Sequence, residues 1–281
     1  MGLEHRLGFG REAATAALEP AWSLVRSIAE RCDATFVAAK WIEAKLERHG
    51  VPRVVRLPFG VDRSLFSPTL RSEAARRGLL GHGEGREHAT LLVGAGRLAF
   101  EKRWDVVLDA LERVHGDTRC VLALFGDGPE RGAIEARVRA SDLNVRILGF
   151  ETDRMKLATA FASADLLVHG CPYETFGFAV AEAMSSGLPA VLPDAGGAAE
   201  LADDAWSTRY AAGDARSCAD AIRSMMARLG GDEREGLRKS AAKAAEKLPT
   251  VVDQFLATYE AYERLLADHG ATGGGGLSLD W

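Results

Sequence analysis

Two kinds of segment alternate along the chain from about residue 33 onward: short apolar runs, and longer stretches with apolar residues at three-to-four spacing. The short runs predict strands and the longer stretches predict helices. Their alternation is typical of a parallel sheet with helices on both faces. The strand candidates of the main region are 89–95, 119–125, 144–148, 165–169, 188–193 and, more weakly, 206–210. Six strands fit one doubly wound, Rossmann-like nucleotide-binding domain, so the predicted fold class is α/β.

Helices fill the gaps between these strands. The helix over 101–114 has one apolar stripe, as expected of a helix that lies on a sheet. The last helix, 251–267, also has an apolar side and is expected to dock against another element. The predicted helices are 101–114, 129–140, 154–162, 177–186, 215–229, 233–247 and 251–267.

The first 66 residues have a different organisation. Pro20 is expected to open a helix that runs to about Arg31, followed by a strand at 35–38, a helix at 41–49 and a strand at 53–57. This is little more than one βαβ unit and too little for a separate domain. A surface loop is expected over 81–87, and a flexible tail with four consecutive glycines at the end of the chain. The predicted divisions are 1–67, 68–248, 249–270 and 271–281.

Composition narrows the possible functions. With 47% hydrophobic residues in 281, the chain can bury a large core. A net charge of −5 and dispersed cations argue against nucleic-acid binding. Since no uncharged apolar stretch approaches the roughly 20 residues needed to span a bilayer and no signal peptide is evident, we expect a cytoplasmic location, with membrane contact peripheral at most. The four cysteines lie far apart, which argues against a zinc site or a disulfide framework.

Two carboxylates mark the most informative stretch. Glu174 follows a predicted strand, and Glu182 lies about two turns into the next helix. In open α/β sheets ligands bind beyond the carboxyl ends of the strands, so both glutamates are expected near that crevice. The helix start near Phe176 and Gly177 offers free N–H groups to an anion. The alternative for the single residues is that Glu174 caps the helix and Glu182 is a solvated surface group.

Cations and glycine turns occur at the same edge of the predicted sheet. Gly96 and Arg97 follow the strand at 89–95, and Lys102 comes five residues later. A glycine lets a ligand approach the backbone, and two cations suit a diphosphate. Further glycine turns at 126–129 and 194–197 also follow strands. Each turn is weak evidence alone, but together they indicate a ligand-binding rim.

The order of these motifs resembles that of retaining GT-B glycosyltransferases of family four. The resemblance covers about residues 33–267. It rests on Gly96-Arg97-Leu98, Glu101-Lys102, Gly126-Asp127-Gly128-Pro129, Glu174-x7-Glu182, Gly187-Leu188-Pro189, and Gly196-Gly197 with Glu200.

The resemblance implies a role for each matching position. Arg97 and Lys102 would bind the diphosphate, Glu174 would hold hydroxyls of the donor sugar, and Glu182 would bind the ribose. The remaining predicted contacts with the sugar nucleotide are Phe176, Gly177, Phe178, Gly96, Gly126, Gly149, Phe150 and Glu151.

The implied reaction transfers a hexose from a nucleoside-diphosphate sugar to a glycan or lipid-linked acceptor with retention of configuration. No cofactor is expected, and the absence of an Asp-x-Asp motif argues against a metal. The segment His169-Gly170-Cys171-Pro172 resembles mannosyltransferase-like members, which favours GDP-mannose over a UDP-sugar.

The chain departs from the family at its start. It lacks the first strands of the amino-terminal, acceptor-side domain, and 31–68 resembles only the end of that domain and its linker, with Phe59-Gly60-Val61-Asp62 and Phe66-x-Pro68. The helix near 255–262 would normally cross back toward that domain. Three accounts are open: an incomplete sequence, a separate subunit that supplies the missing half, or a degenerate non-catalytic protein. An exposed hydrophobic face on this part of the chain would favour the first two.

Two other functions stay open. One is a non-catalytic nucleotide-sugar-binding module or the donor subunit of a two-chain enzyme. The other is an NAD-dependent dehydrogenase, because 94–99 fits the relaxed dinucleotide fingerprint. The dehydrogenase is disfavoured because it leaves Arg97, Lys102 and the paired glutamates unexplained.

Overall fold

A computed structural model describes residues 11–83, 86–114 and 119–272. The described chain divides into two compact units, one of residues up to Pro58 together with those from Phe255, and one from Phe59 to Gln254. The sequence placed the divisions at 67/68 and 248/249. The flexible tail predicted over 271–281 lies outside the described residues from 273 onward, as do 84 and 85 of the loop predicted over 81–87.

The smaller unit contains a two-stranded parallel sheet. Its elements are α1 (Arg11–Ala29), β1 (Thr35–Val37), α2 (Lys40–Arg48), β2 (Val54–Arg56) and most of α11 (Val251–Thr272). The prediction that Pro20 opens a helix was wrong, because α1 begins at Arg11 and holds Pro20 in its interior. The preceding residues are mostly alanine and glutamate, which are strong helix formers and extend the helix toward the amino terminus. The ring of Tyr262 on α11 packs edge-on against Phe36 of β1, with centroids 5.9 Å apart.

The larger unit is built on a six-stranded sheet. Its strands are β3 (Thr90–Ala95), β4 (Cys120–Phe125), β5 (Val145–Gly149), β6 (Leu166–Val168), β7 (Ala190–Pro193) and β8 (Ser207–Tyr210). Every pairing is parallel, and the order is β5-β4-β3-β6-β7-β8. The six predicted strands and the α/β class are therefore confirmed. The strand order reverses between β3 and β6, the position at which open α/β sheets form a ligand crevice.

Helices cover both faces of this sheet. They are α3 (Glu73–Leu80), α4 (Trp104–Val114), α5 (Arg131–Arg139), α6 (Arg154–Ser163), α7 (Phe178–Ser185), α8 (Gly196–Leu201), α9 (Ala215–Gly230) and α10 (Arg234–Ala245). The sequence did not predict α3 or α8. A Ser72 hydroxyl caps α3 by accepting a hydrogen bond from Ala75 N, and α8 starts in the glycine pair that was interpreted as a turn.

Two apolar cores lie on opposite faces of the sheet. One is formed with α6 and α7 and includes Phe161 and Trp206; the other is formed with α4 and α9 and includes Trp104 and Ile222. The predicted apolar stripe of α4 is buried, which confirms that this helix lies on the sheet. No helix in the described ranges has the length and apolar character needed to cross a bilayer. The cytoplasmic location stays a prediction.

One buried carboxylate ties the start of the sheet to two helices. Asp165, which is almost fully buried, accepts hydrogen bonds from Leu91 N at 2.8 Å, from Arg76 at 2.6 Å and from Arg234 at 2.8 Å. Two guanidinium groups and a backbone amide compensate for the burial of its charge. This network connects β3 with α3 and α10 at the edge of the sheet opposite the crevice.

Candidate functional site

A cavity of about 500 Å³ opens at the carboxyl ends of β3, β4 and β5. Parallel strands bring the residues that follow them to one edge, so residues distant in sequence meet there. The start of α6 completes the wall. The lining residues are Ala95, Gly96, Arg97, Phe125, Gly126, Asp127, Phe150, Glu151, Thr152, Arg154 and Leu157. The structure therefore brings together five predicted site residues: Gly96, Arg97, Gly126, Phe150 and Glu151.

Glycines let the loops at this edge approach one another closely. Gly126 has a φ of +149°, and a Cβ added to it would lie 1.9 Å from Gly96 O. Gly126 N donates to Gly149 O at 2.8 Å, and Gly96 N donates to Phe125 O at 3.0 Å. The loops after β3, β4 and β5 are thus joined by their backbones. No side chain fits between them, which explains why glycine is required at Gly126.

Arg97 brings a positive charge to the cavity wall. Its guanidinium is exposed and pairs with Glu101 at 2.5 Å, which raises the pKa of Arg97. Its carbonyl accepts a hydrogen bond from Trp104 Nε1 at 3.0 Å, so its backbone is fixed while its side chain faces solvent. An exposed ion pair is weak, and an anionic ligand can therefore replace Glu101 as the partner.

Lys102 and Glu174 form the centre of a second cluster. Lys102 Nζ makes an ion pair with Glu174 Oε1, and both side chains are largely buried. His169 Nε2 lies 3.4 Å from the same oxygen. Burial works to raise the pKa of Glu174, but the interactions with His169 and Lys102 outweigh it and lower that pKa to about 2. Glu174 is therefore ionised at neutral pH.

Backbone packing explains why these side chains meet. Gly170 faces the backbone after Lys102, and a Cβ there would lie 2.6 Å from Lys102 O and 2.7 Å from Arg103 O. The loop after β6 can therefore lie directly on the loop after β3. From the sequence, Gly170 was part of the mannosyltransferase-like segment and had no predicted role of its own. A glycine after a strand is too common to have revealed this contact.

Cys171 completes a group with the donor types of a metal site. Ligand atoms of His169, Cys171 and Glu174 all lie within 4.8 Å of one another. Burial raises the pKa of the Cys171 thiol to about 11, with Glu174 adding to the shift. A metal at this group would have to displace Lys102 from Glu174 and bind the sulfur as a thiolate. Metal independence stays a prediction.

Glu182 lies on α7 and is only 7% exposed. It pairs with Arg154 at 2.5 Å, and the Arg154 guanidinium also lies 4.9 Å above the ring of Phe66. Burial raises the pKa of Glu182, and the interaction with Arg154 opposes part of that shift. The alternative that Glu182 is a solvated surface group is wrong. Because Arg154 lines the cavity, it connects Glu182 to the cavity wall; the sequence gave no sign of this partner.

The start of α7 has a glycine at its cap position. Gly177 has a φ of +98° and offers no side chain to the first amides of the helix. The carbonyl of Glu174 accepts a hydrogen bond from Gly197 N at 2.7 Å, and the alternative that the Glu174 side chain caps this helix stays open. Phe176 and Phe178 pack against each other and against Phe59, with ring centroids 5.1 to 5.8 Å apart. The predicted residues 176–178 thus lie in an aromatic cluster at the start of α7.

Comparison with known proteins agrees with this architecture. Residues 89–228 match the family model described as Glycosyl transferases group 1. A GDP-mannose-dependent alpha-mannosyltransferase of Mycolicibacterium smegmatis is 32% identical over 86% of this chain and 60% of its own length. A GDP-mannose-dependent alpha-(1-6)-phosphatidylinositol dimannoside mannosyltransferase of Mycobacterium tuberculosis is 36% identical over 53% of this chain and 37% of its own.

A solved structure shares the fold at lower sequence identity. Anabaena HepE in complex with UDP-glucose superposes with a TM-score of 0.74 at 18% identity, over 88% of this chain and 68% of that one. The chain spans 60% or less of the length of the two mannosyltransferases. The chain carries a Glycosyl transferases group 1 domain, and its fold is that of GT-B glycosyltransferases.

Proposed function

We propose that this chain binds a nucleoside-diphosphate sugar and takes part in the transfer of its hexose to an acceptor hydroxyl with retention of configuration. The observation that carries the proposal is the Lys102–Glu174 ion pair at the reversal of strand order. A cation for a diphosphate and a carboxylate for sugar hydroxyls are adjacent there. The family assignment supports this proposal and leaves the NAD-dependent alternative without support.

Each part of the donor has a matching group. The base enters the cavity beside the exposed ring of Phe150 and the carboxylate of Glu151. Glu182 binds the ribose, so its carboxylate is then shared between the ribose and Arg154. The diphosphate lies between Arg97 and Lys102 and faces the amides of 176–178 at the start of α7, where the cap residue Gly177 has no side chain. Glu174 accepts hydrogen bonds from hydroxyls of the hexose.

The chemistry is mainly stabilisation of a departing anion. As the bond between the anomeric carbon and the phosphate oxygen breaks, the acceptor oxygen bonds to that carbon on the same face. The acceptor proton passes to the phosphate oxygen, so no enzyme nucleophile is consumed. Arg97, Lys102 and the α7 dipole stabilise the charge that develops on the leaving group, which lowers the barrier without a metal.

GDP-mannose is the donor favoured by the similarity to GDP-mannose-dependent relatives. A UDP-sugar is the competing donor, because the HepE structure holds UDP-glucose. The acceptor is a glycan or a lipid-linked glycan, in line with the relative whose name specifies a phosphatidylinositol dimannoside.

Turnover of labelled nucleotide sugars tests this function. The chain is incubated with GDP-mannose or UDP-glucose, an alkyl mannoside acceptor and EDTA, and nucleotide release and product are measured. We expect GDP release, an α-linked product by NMR, and loss of both in Lys102→Met. Lys156→Met, which removes an exposed lysine of α6, is the matched control and should keep activity. Nucleotide binding without transfer would contradict an enzyme that acts alone.

The alternative function is a donor-binding module that works with an acceptor-binding domain on another polypeptide. Exposed apolar side chains in the smaller unit favour it, among them Leu24 and Ile28 on α1 and Tyr259 and Leu266 on α11. Exposed apolar side chains of this kind suit contact with an apolar partner domain. Transfer that appears only when the acceptor-binding domain of a mannosyltransferase relative is added in trans would support this alternative. Transfer by the chain alone would contradict it.

A further inference from the structure

His169 carries a buried ring nitrogen that nothing in the described part of the chain satisfies. The residue is 3% exposed, and its Nε2 makes no hydrogen bond there. Buried polar atoms nearly always have a partner, because an unsatisfied one costs free energy. The nearest acceptor is Glu174 Oε1 at 3.4 Å, outside hydrogen-bond geometry. This oxygen is the one that Lys102 Nζ occupies.

The main chain of His169 is held from two sides. Tyr210 donates its hydroxyl to His169 O at 2.9 Å, and His169 N donates to Val191 O at 3.0 Å. Both bonds tie the backbone of His169 to β7 and β8, and the burial of the side chain leaves the imidazole little room beside Glu174. A shift of a few tenths of an ångström would bring Nε2 within ordinary hydrogen-bond range of Oε1.

We propose that His169 is a positioning residue for Glu174 that acts when the donor binds. The inference rests on the proposed function, in which the diphosphate attracts Lys102. When Lys102 Nζ turns to the phosphates, Glu174 Oε1 loses its cation and His169 Nε2–H donates to it instead. The other carboxylate oxygen is then held toward the hexose. The residue that satisfies Glu174 thus changes from Lys102 to His169 on donor binding.

Calorimetric titration with GDP and with GDP-mannose tests this role. Both ligands are titrated in EDTA, so that trace metal cannot occupy the His169, Cys171 and Glu174 group. His169→Met removes the donor, and His169→Gln keeps an N–H near the position of Nε2. We expect His169→Met to weaken GDP-mannose binding about ten-fold, the effect of one hydrogen bond, and to weaken GDP binding less, because GDP also draws Lys102 from Glu174 but has no hexose for Glu174 to hold. His169→Gln should recover part of the loss, and the exposed His88→Gln is the control.

A double-mutant cycle separates positioning from a general structural effect. Because His169 acts through Glu174, His169→Met should cause no further loss in a Glu174→Gln background. Additive losses, or equal losses for GDP and GDP-mannose, would overturn the role. Unchanged GDP-mannose affinity in His169→Met would also overturn it. Failure of the wild-type chain to bind either ligand would instead overturn the proposed function.

A structure of the wild-type chain with GDP-mannose gives a test that needs no variant. We expect His169 Nε2 and Glu174 Oε1 to lie within about 3.2 Å of each other and Lys102 Nζ to bind a phosphate oxygen. A Lys102–Glu174 pair that persists with the ligand bound, with His169 still 3.4 Å away, would contradict the proposal.

Discussion

Lys102 and Glu174 are 72 residues apart in sequence and form one ion pair across the two loops where the strand order reverses. Lys102 follows β3 and Glu174 follows β6, which is hydrogen-bonded to β3. Without a ligand, each of these groups neutralises the other in a largely buried position. A donor that carries both phosphate and hydroxyl groups can replace both partners at once. The pair is therefore suited to distinguish a sugar nucleotide from a plain sugar.

Replacement of Gly170 by alanine should displace the loops that carry this pair. Its Cβ would lie 2.6 Å from Lys102 O, a backbone atom that cannot turn aside. We expect a loss of about 1 to 3 kcal/mol in the free energy of unfolding, as for an overpacked interior. Urea denaturation measures it.

Gly132→Ala is the control for that substitution. Gly132 lies in α5, and a Cβ there would meet nothing within 4 Å. Alanine should stabilise the chain by about 0.5 to 1 kcal/mol, because it favours the helix. Equal effects at the two glycines would contradict the close approach of the two loops.

Asp165→Asn tests what holds the sheet to α3 and α10. The substitution leaves two guanidinium groups, those of Arg76 and Arg234, without their buried countercharge. A loss of about 3 to 5 kcal/mol in stability is expected, the usual cost of breaking a buried charge network. Thermal unfolding followed by circular dichroism measures it. The control Asp142→Asn, at an exposed position, should change the melting temperature little. An unchanged melting temperature in Asp165→Asn would show that the network contributes no stability.

Glu174 and Glu182 should give opposite pH dependence of stability. The pKa of Glu174 is lowered from 4.5 to about 2, so its contribution is present above pH 4.5 and is lost as the pH falls toward 2. The pKa of Glu182 is raised, so its contribution is present below pH 4.5 and is lost as the pH rises through the raised value.

Unfolding of Glu174→Gln and Glu182→Gln between pH 3 and 7 checks these signs. The difference in unfolding free energy between wild type and Glu174→Gln should become smaller as the pH falls. The difference between wild type and Glu182→Gln should become smaller as the pH rises. Slopes of the same sign would refute the environments assigned to the two carboxylates.

Arg97→Ala should separate ligand binding from stability. The guanidinium is exposed and bonds only weakly to Glu101, so unfolding by urea should be unchanged. GDP affinity should fall about ten-fold if Arg97 contacts the diphosphate, as expected for a charge-assisted hydrogen bond. Arg139→Ala, an exposed arginine of α5 away from the cavity, should change neither property. Unchanged GDP affinity in Arg97→Ala would remove it from the site.

Much of this fold could be predicted from the pattern of apolar residues. The strands β3 and β4 are continuous apolar runs because both faces of a parallel sheet are buried. The position of the cavity at this edge of the sheet could be predicted from the glycines and charged residues at successive strand ends. By contrast, α8 begins with two glycines, and local propensity favoured a turn there. The helix that contains Pro20 begins nine residues earlier, because the strong helix formers before the proline extend it toward the amino terminus.

The partners within the site could not be predicted in the same way. Arg154 reaches Glu182 from another helix, and Lys102 reaches Glu174 because Gly170 allows two loops to touch. These contacts depend on tertiary positions that no local pattern contains. The sequence predicted which residue types meet at this edge, and the structure adds how they are paired.

Calorimetric titration of GDP, UDP and ADP into the wild-type chain and into Lys102→Met tests the donor site most directly. We expect that one nucleotide, GDP, binds and that Lys102→Met loses about ten- to one-hundred-fold in affinity, the range of one charge-assisted hydrogen bond. Equal affinity of Lys102→Met and wild type, or no binding of any nucleotide by a folded wild-type chain, would contradict a diphosphate site between Arg97 and Lys102.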